Sequence, residues 1–290
     1  MAKAAINDTR SITQLEVNTD GTNARVDYIL SCILAAVAAF TSAAAFSITD
    51  LFQRDNTALA GCARGTALVI LVVAVPVLVA AMLFARQGSV RARLVWLGMV
   101  IYILYNAGYF AFSASFNRLF LAFIAMLALA FWSLLALLVR WPAQTVKEAF
   151  GSRTPVRFTA AVCLFPVLIF AITDLRESLI ATIINTLPPT IVNTQLPTNH
   201  FHVMDLAFLV PAFVLAAVWL WQRRSWGYTL AGSLLAYYTV ELLGIGVDQW
   251  YGGRADPTSP LADAGAMPVF VGMAVVMLAI VVLYLRAAHR

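Results

Sequence analysis

Two histidines and an aspartate stand close together in the segment His200-Phe201-His202-Val203-Met204-Asp205. Imidazole and carboxylate groups are common zinc ligands, so this segment could supply half of a metal site. The spacing is also frequent by chance, and the third histidine, His289, lies at the opposite face of the predicted bundle. We therefore interpret His202 as a hydrogen-bonding or proton-relaying residue, because imidazole titrates near neutral pH. We predict no metal and no cofactor.

Two apolar segments carry polar side chains at helical spacing. Their polar residues recur at intervals of three or four, so each set shares one face of a helix. Ordinary helix packing and an aromatic belt at the membrane interface would also explain the tyrosines. Glu241 is harder to explain in this way, because a charge within an apolar helix needs a partner or a cavity. The two sets are Tyr102, Tyr105, Asn106 and Tyr109, and Tyr237, Glu241, Gly244 and Asp248.

The composition indicates that lipid is the solvent of this chain. Of its 290 residues, 62% are hydrophobic and 11% are charged, whereas soluble domains carry about 25% charged residues. The basic residues form short clusters between apolar runs, which is typical of membrane topology signals and not of nucleic-acid binding. Abundant alanine and an excess of arginine over lysine favour a bacterial plasma membrane. The three cysteines form no CxxC pair and no closed disulfide framework.

Eight apolar runs are each long enough to cross a hydrocarbon core of about 30 Å, which takes about 20 helical residues. We predict an all-α, polytopic transmembrane helical bundle over residues 27–290, preceded by a polar cytoplasmic tail at 1–26. A cleaved signal peptide ending near Ala45 is the alternative for the first run, and the long polar segment before it argues against cleavage. The predicted spans are 28–49, 66–85, 94–115, 119–139, 157–175, 204–222, 226–247 and 267–286.

The distribution of lysine and arginine predicts the orientation of the bundle. With the N-terminus in the cytoplasm, 14 of the 19 basic residues fall in inner segments and five fall in outer ones. Because inner loops carry the excess of positive charge, both termini are predicted to be cytoplasmic.

The two halves of the chain resemble each other weakly. The first and fifth runs end in Ile48-Thr49-Asp50-Leu51 and Ile172-Thr173-Asp174-Leu175, and the second and sixth carry Pro76 and Pro211. This pattern suggests two parallel four-helix repeats, 26–140 and 155–290, related by an axis along the membrane normal. Chance similarity between apolar sequences is the alternative.

The polar residues within the spans gather in the predicted outer half, where we expect a single ligand-binding pocket. We expect Arg64 to open the second span, Asp205 to open the sixth, and Arg64 or Arg118 to pair with Glu241. The predicted pocket residues are Arg64, Tyr105, Asn106, Tyr109, Asn117, His202, Asp205 and Glu241.

Other outer residues have simpler interpretations. We interpret Asp50, Asp174 and Asp248 as solvated caps at the ends of spans. The longest outer loop, from Arg176 to Val203, is expected to hold a short interfacial helix at 178–184 and then extended chain. Loops of this length often act as lids, although an inert cover is an equal alternative.

Several membrane functions are excluded by missing motifs. No lysine lies in a predicted span, so no retinal Schiff base can form, and three histidines are too few for paired haems. The chain has no HExxH, Walker A, GxSxG or aspartate-rich prenyl-diphosphate motif.

The chain resembles an uncharacterised family of bacterial multipass inner-membrane proteins. The residues that carry the likeness are 196–208, Pro211, 223–228, Arg64-Gly65, Tyr105-Asn106 and Phe116-Asn117. The resemblance implies an eight-helix membrane protein but no activity. The family typically has proline where His200 stands here and an acid where Ala67 stands, whereas His202 and Asp205 match its pattern.

Three functions fit these observations. The first is binding or transport of a small polar molecule or lipid headgroup in the outward-facing pocket. The second is a structural or accessory subunit, as a partner in a larger complex or a homo-oligomer, which predicts an uncovered apolar groove. The third is an enzyme acting on lipid or cell-wall precursors at the outer leaflet, with His202 as general base and Asp205 as its orienting acid.

Overall fold

The computed structural model describes residues 26–152 and 154–289, so the predicted cytoplasmic tail before Val26 lies outside the described residues. In this part of the chain, eight helices are long and apolar enough to cross a membrane. They confirm the predicted all-α bundle of a multipass membrane protein in a lipid bilayer. Spans 1 to 8 are Val26–Ser47, Thr57–Arg86, Val90–Phe112, Phe120–Val139, Val156–Ile184, His200–Trp221, Ser225–Ala255 and Ala264–Arg286.

Spans 2, 5, 6 and 7 extend further than their apolar runs predict, because their polar ends continue as helix. Span 2 begins at Thr57, where the Asn56 side-chain oxygen accepts from the Ala58 amide at 2.9 Å. Arg64 therefore lies two turns inside span 2, and the prediction that it opens this span is wrong. Span 5 continues to Ile184 and includes the predicted interfacial helix. Span 6 begins at His200, so Asp205 lies in its second turn and does not open it.

Spans 2 and 6 share a local irregularity. Each contains a five-residue π turn, Ile70–Ala74 and Asp205–Leu209, that ends two residues before Pro76 or Pro211. Proline has no backbone N–H to donate, so a wider turn before it accommodates the missing hydrogen bond. Along the sequence, Ile70 and Asp205 are 135 residues apart, and so are Pro76 and Pro211.

Spans 3 and 7 form the centre of the bundle. Their most apolar windows are 78% and 72% buried, against 17–39% for the other six spans, which face lipid on one side. A Cβ atom built on Gly98 would lie 2.6 Å from the Ser233 carbonyl oxygen. Only a glycine allows the two backbones to approach this closely.

The close contacts between spans 3 and 7 join positions that are also 135 residues apart. Gly98 meets Ser233, the rings of Tyr102 and Tyr237 lie 6.4 Å apart, and Asn106 bonds Glu241. Contact between equivalent positions is expected where two repeats meet on a shared axis, so these pairs support the repeat hypothesis, which stays a proposal.

The loops separate into two groups at opposite ends of the bundle. At one end, Arg91 Nε donates to the Ala288 carbonyl at 3.0 Å, and the His289 amide donates to the Ala149 carbonyl at 2.6 Å. At the other end, Arg118 pairs with Asp50. These contacts join loops that the eight crossings place on the same side. Which end faces the cytoplasm stays a prediction from the charge count, and "outer" is used below in that sense.

We expect Gly98→Val to lower the free energy of unfolding in detergent by about 1–3 kcal/mol, because the new side chain collides with the backbone of span 7. Gly272→Val is the matched control, since a Cβ at Gly272 has no other atom within 4 Å. Thermal unfolding followed by size-exclusion chromatography measures both. Equal stability of the two variants would contradict the close approach of spans 3 and 7.

Candidate functional site

The centre of the candidate site is His202, in the first turn of span 6. Its Nδ1 lies 3.2 Å from the Ser178 hydroxyl, and its Nε2 lies 3.6 Å from Asp174 Oδ1. The Asn199 side-chain oxygen caps this helix by accepting from the Phe201 amide at 3.0 Å. The cap fixes the start of span 6 and thereby the position of His202 relative to span 5.

Span 5 presents both partners of His202 from one helical face. Asp174 and Ser178 are four residues apart, so they stand one above the other on the helix. Asp174 belongs to a π turn, Ala171–Leu175, that follows Pro166 within the same span. Its carboxyl also accepts from the Thr173 hydroxyl at 2.6 Å. The interpretation of Asp174 as a solvated cap is therefore wrong, because its side chain is buried against span 6.

A cavity of about 440 Å³ opens beside His202, between spans 5 and 6. Its polar lining residues are Ser178, Thr198, Asn199 and His202. The remaining wall is apolar and is formed by Pro188, Ile191, Val203, Leu206 and Ala207.

A second polar pair lies deeper, where span 3 meets span 6. The Tyr105 hydroxyl donates to Asp205 Oδ1 at 2.8 Å, and each residue is only 5% exposed. Asp205 and Asp174 lie on π turns of spans 6 and 5 that contact each other. A continuous path of contacts therefore runs from His202 through Asp174 and Asp205 to Tyr105.

Glu241 has a neutral partner in place of the predicted arginine. The Asn106 amide donates to Glu241 Oε2 at 3.2 Å and to the Tyr102 carbonyl at 3.1 Å. Arg64 instead donates to the Thr49 carbonyl, and Arg118 pairs with Asp50 at the surface. The prediction that Arg64 or Arg118 neutralises Glu241 is wrong because both guanidinium groups are engaged at the outer end of span 1.

The remaining predicted pocket residues do not join the His202 cavity. The Tyr109 hydroxyl donates to the Leu59 carbonyl at 3.3 Å, and its ring stacks on His200 at 5.8 Å. Asn117 lines a separate outer cleft of about 800 Å³ beside Asp50, Arg54 and Arg118. The predicted single pocket is thus divided into the cavity, the buried core around Tyr105 and Glu241, and this cleft.

The two histidines of the segment point to different partners. His200 Nδ1 lies 3.0 Å from the Ser113 hydroxyl on span 3, whereas His202 faces span 5. They therefore do not form the two-histidine metal half-site that the spacing could have supplied. Within residues 26–152 and 154–289, no three His, Cys, Asp or Glu side chains are grouped to hold a metal ion.

Sequence reasoning missed three residues of the site, Asp174, Ser178 and Asn199, and misjudged the position of Asp248 elsewhere in the bundle. Asp174 and Ser178 share helical spacing, and this signal becomes visible only if span 5 continues beyond residue 175. Asp248, interpreted as a solvated cap, instead accepts from the Thr66 hydroxyl at 2.9 Å between spans 2 and 7.

Comparison of the chain with models of known protein families, with curated proteins and with solved structures finds no match. The likeness to a bacterial membrane-protein family therefore stays a prediction, and the functional argument depends on the site itself.

We expect Tyr105→Phe to lower the free energy of unfolding by about 1–3 kcal/mol, because it leaves the buried Asp205 carboxyl without its hydroxyl donor. Tyr237→Phe is the matched control, since Tyr237 is equally buried and its hydroxyl has no hydrogen-bond partner among the described residues. Thermal unfolding in detergent measures both variants. A loss of stability in Tyr237→Phe equal to that in Tyr105→Phe would contradict a stabilising role for the bond to Asp205.

Proposed function

We propose that this chain binds a small polar molecule or a lipid headgroup in the cavity between spans 5 and 6, at the outer leaflet of a bacterial plasma membrane. The observation that carries the proposal is His202, whose ring lies at the cavity while Asp174 lies behind it. An imidazole held in this way can donate or accept a hydrogen bond, and it can carry a charge that the carboxyl stabilises.

The division of the cavity wall supports an amphiphilic ligand. Four of its lining residues are polar and five are apolar. Val203 is 52% exposed on the lipid-facing side of span 6. A ligand can therefore enter from the membrane with its apolar part against span 6 and its polar part at His202.

The outer loop covers the cavity. Its short helix, Pro189–Thr194, contributes Ile191 to the wall, and Glu177 holds this helix by accepting from the Thr190 amide at 2.9 Å. Asn185 and Gln195, on either side of the helix, have φ values of 53° and 59°. These left-handed residues change the direction of the chain on either side of the helix, so that Ile191 lies at the cavity wall. This position of the loop supports our prediction that it acts as a lid.

Transport is the extension of binding that the bundle supports less well. The buried ionisable side chains Asp174, His200 and Asp205 lie in the outer half, and an inward exit route would require comparable groups in the inner half. We therefore propose binding as the primary function.

A structural or accessory subunit is the second candidate, and one observation favours it. An apolar groove of about 730 Å³ lies between spans 5 and 8, where Phe158, Phe165, Met273 and Val276 line its sides. A groove of this kind fits the apolar surface of a partner helix.

We expect native mass spectrometry of protein purified in mild detergent to find a specifically bound small molecule or lipid on the wild type and to lose it in His202→Ala. His289→Ala is the matched control, because His289 lies at the opposite end of the bundle. A wild type without a specific ligand, or equal occupancy in both variants, would reject the binding proposal and favour the subunit.

A further inference from the structure

We propose that Ser178 is a nucleophile activated by His202 and positioned with Asp174, and that the cavity cleaves carboxylic esters of membrane lipids. This inference rests on the proposed binding site and assigns it a reaction. Ser178 and His202 both line the cavity, so a ligand there touches both side chains.

The three side chains stand in the order that nucleophilic catalysis requires. The Ser178 hydroxyl lies 3.2 Å from His202 Nδ1, which is within reach of proton transfer. His202 Nε2 faces Asp174 Oδ1 at 3.6 Å, so the tautomer with its proton on Nε2 leaves Nδ1 free to accept from Ser178. Contacts between a base and its orienting acid are often this long before a substrate binds. In the usual triad, Nε2 of the histidine faces the serine and Nδ1 faces the aspartate. Here the two nitrogens have the opposite partners, but each imidazole nitrogen can serve as the base.

The orienting acid differs from the one that the sequence predicts. Asp205 bonds Tyr105 on span 3, and Asp174 is the acid that faces His202. Asp205, bonded to Tyr105, lies on the π turn of span 6 that contacts the turn bearing Asp174. Asp205 is therefore a member of the support behind the site and is not the direct partner of His202.

Asn199 supplies a donor for the charge that develops on the substrate. Its side-chain oxygen is used in the helix cap, which leaves its Nδ2 amide group available at the cavity wall. Side-chain amides stabilise the oxyanion of tetrahedral intermediates in this way.

The reaction balances with the substrate and water alone. Ser178 Oγ bonds to the ester carbonyl carbon while its proton moves to His202 Nδ1. The tetrahedral intermediate expels the alcohol, which takes that proton, and an acyl-serine remains. Water then transfers a proton to His202 and its oxygen bonds to the acyl carbon, which releases a carboxylic acid and restores Ser178.

The cavity selects the substrate class. Its aliphatic wall accommodates an acyl chain, and the exposure of Val203 opens it to lipid. The ester bond of a lipid lies at the boundary between the headgroup and the acyl chain. The cavity places Ser178 at the same boundary between polar and apolar surface.

The test is reaction of the full-length protein, in detergent and in phospholipid vesicles, with a fluorescent alkyl fluorophosphonate. An activated serine attacks phosphorus and expels fluoride, so labelling does not require the natural substrate. We expect labelling of the wild type, with the modification on the peptide that contains Ser178. Ser178→Ala should lose the label, and Ser115→Ala, in an outer loop away from the cavity, should keep it.

Two further variants test the roles of His202 and Asp174. His202→Ala should slow labelling about 100-fold or more, as expected for loss of a general base. Asp174→Asn should slow labelling at least about tenfold, and Asp174→Glu should recover part of the rate. If both variants unfold at the same temperature, a purely structural role of Asp174 would not produce this difference.

The outcomes separate this inference from the binding proposal. Absence of label on Ser178 in the wild type, or equal labelling of wild type and His202→Ala, overturns catalysis. If a ligand that depends on His202 is still found by native mass spectrometry, the binding proposal stands alone.

Discussion

The structure depends on how four acids are held inside an apolar bundle. Asp174, Asp205, Glu241 and Asp248 all lie within spans, and in the described part of the chain no lysine or arginine forms an ion pair with any of them. Neutral donors take the place of cations: Thr173, Tyr105, Asn106 and Thr66 each donate to one acid. An unpaired buried charge is costly, so these acids require either a proton or a positively charged neighbour. His202 is a basic side chain that contacts one of them, Asp174, and it also lines the cavity.

In the proposed repeat, span 6 is equivalent to span 2, but only span 6 carries the histidines and the aspartate of the candidate site. The positions 135 residues before His200, His202 and Asp205 are Gly65, Ala67 and Ile70. The same π turn and proline occur in spans 2 and 6, but the two histidines and the aspartate at these positions occur only in span 6. A Cβ atom on Gly65 would collide with Asp248, whereas the equivalent His200 bonds Ser113. Span 2 therefore packs tightly on span 7, whereas a cavity lies beside span 6.

Hydrophobicity and charge were sufficient to predict the number and approximate position of the spans. The sequence could not place side chains in three dimensions, because the order of helices in a bundle depends on packing between distant segments. The partner of Glu241 shows the limit: arginine was the natural expectation, whereas Asn106, 135 residues away, occupies the position. The π turns were also unpredictable, and they change which face of spans 5 and 6 bears Asp174 and Asp205. Two pairs of predicted site residues are joined directly, Tyr105 with Asp205 and Asn106 with Glu241.

The cavity is lined by span 5, by the start of span 6 and by the loop that joins them. The loop helix Pro189–Thr194 contributes Ile191 to its wall, and the Tyr105–Asp205 pair lies deeper, between spans 3 and 6. Val203 also lines the cavity and is 52% exposed. The His202 and Asp174 side chains are only 14% and 11% exposed. Burial strengthens their interaction, because electrostatic attraction increases as the dielectric constant falls. Under the proposed function, the exposure of Val203 favours a ligand that arrives by lateral diffusion in the membrane and leaves by the same path, which fits binding or modification of a lipid in place better than movement of a solute across the membrane.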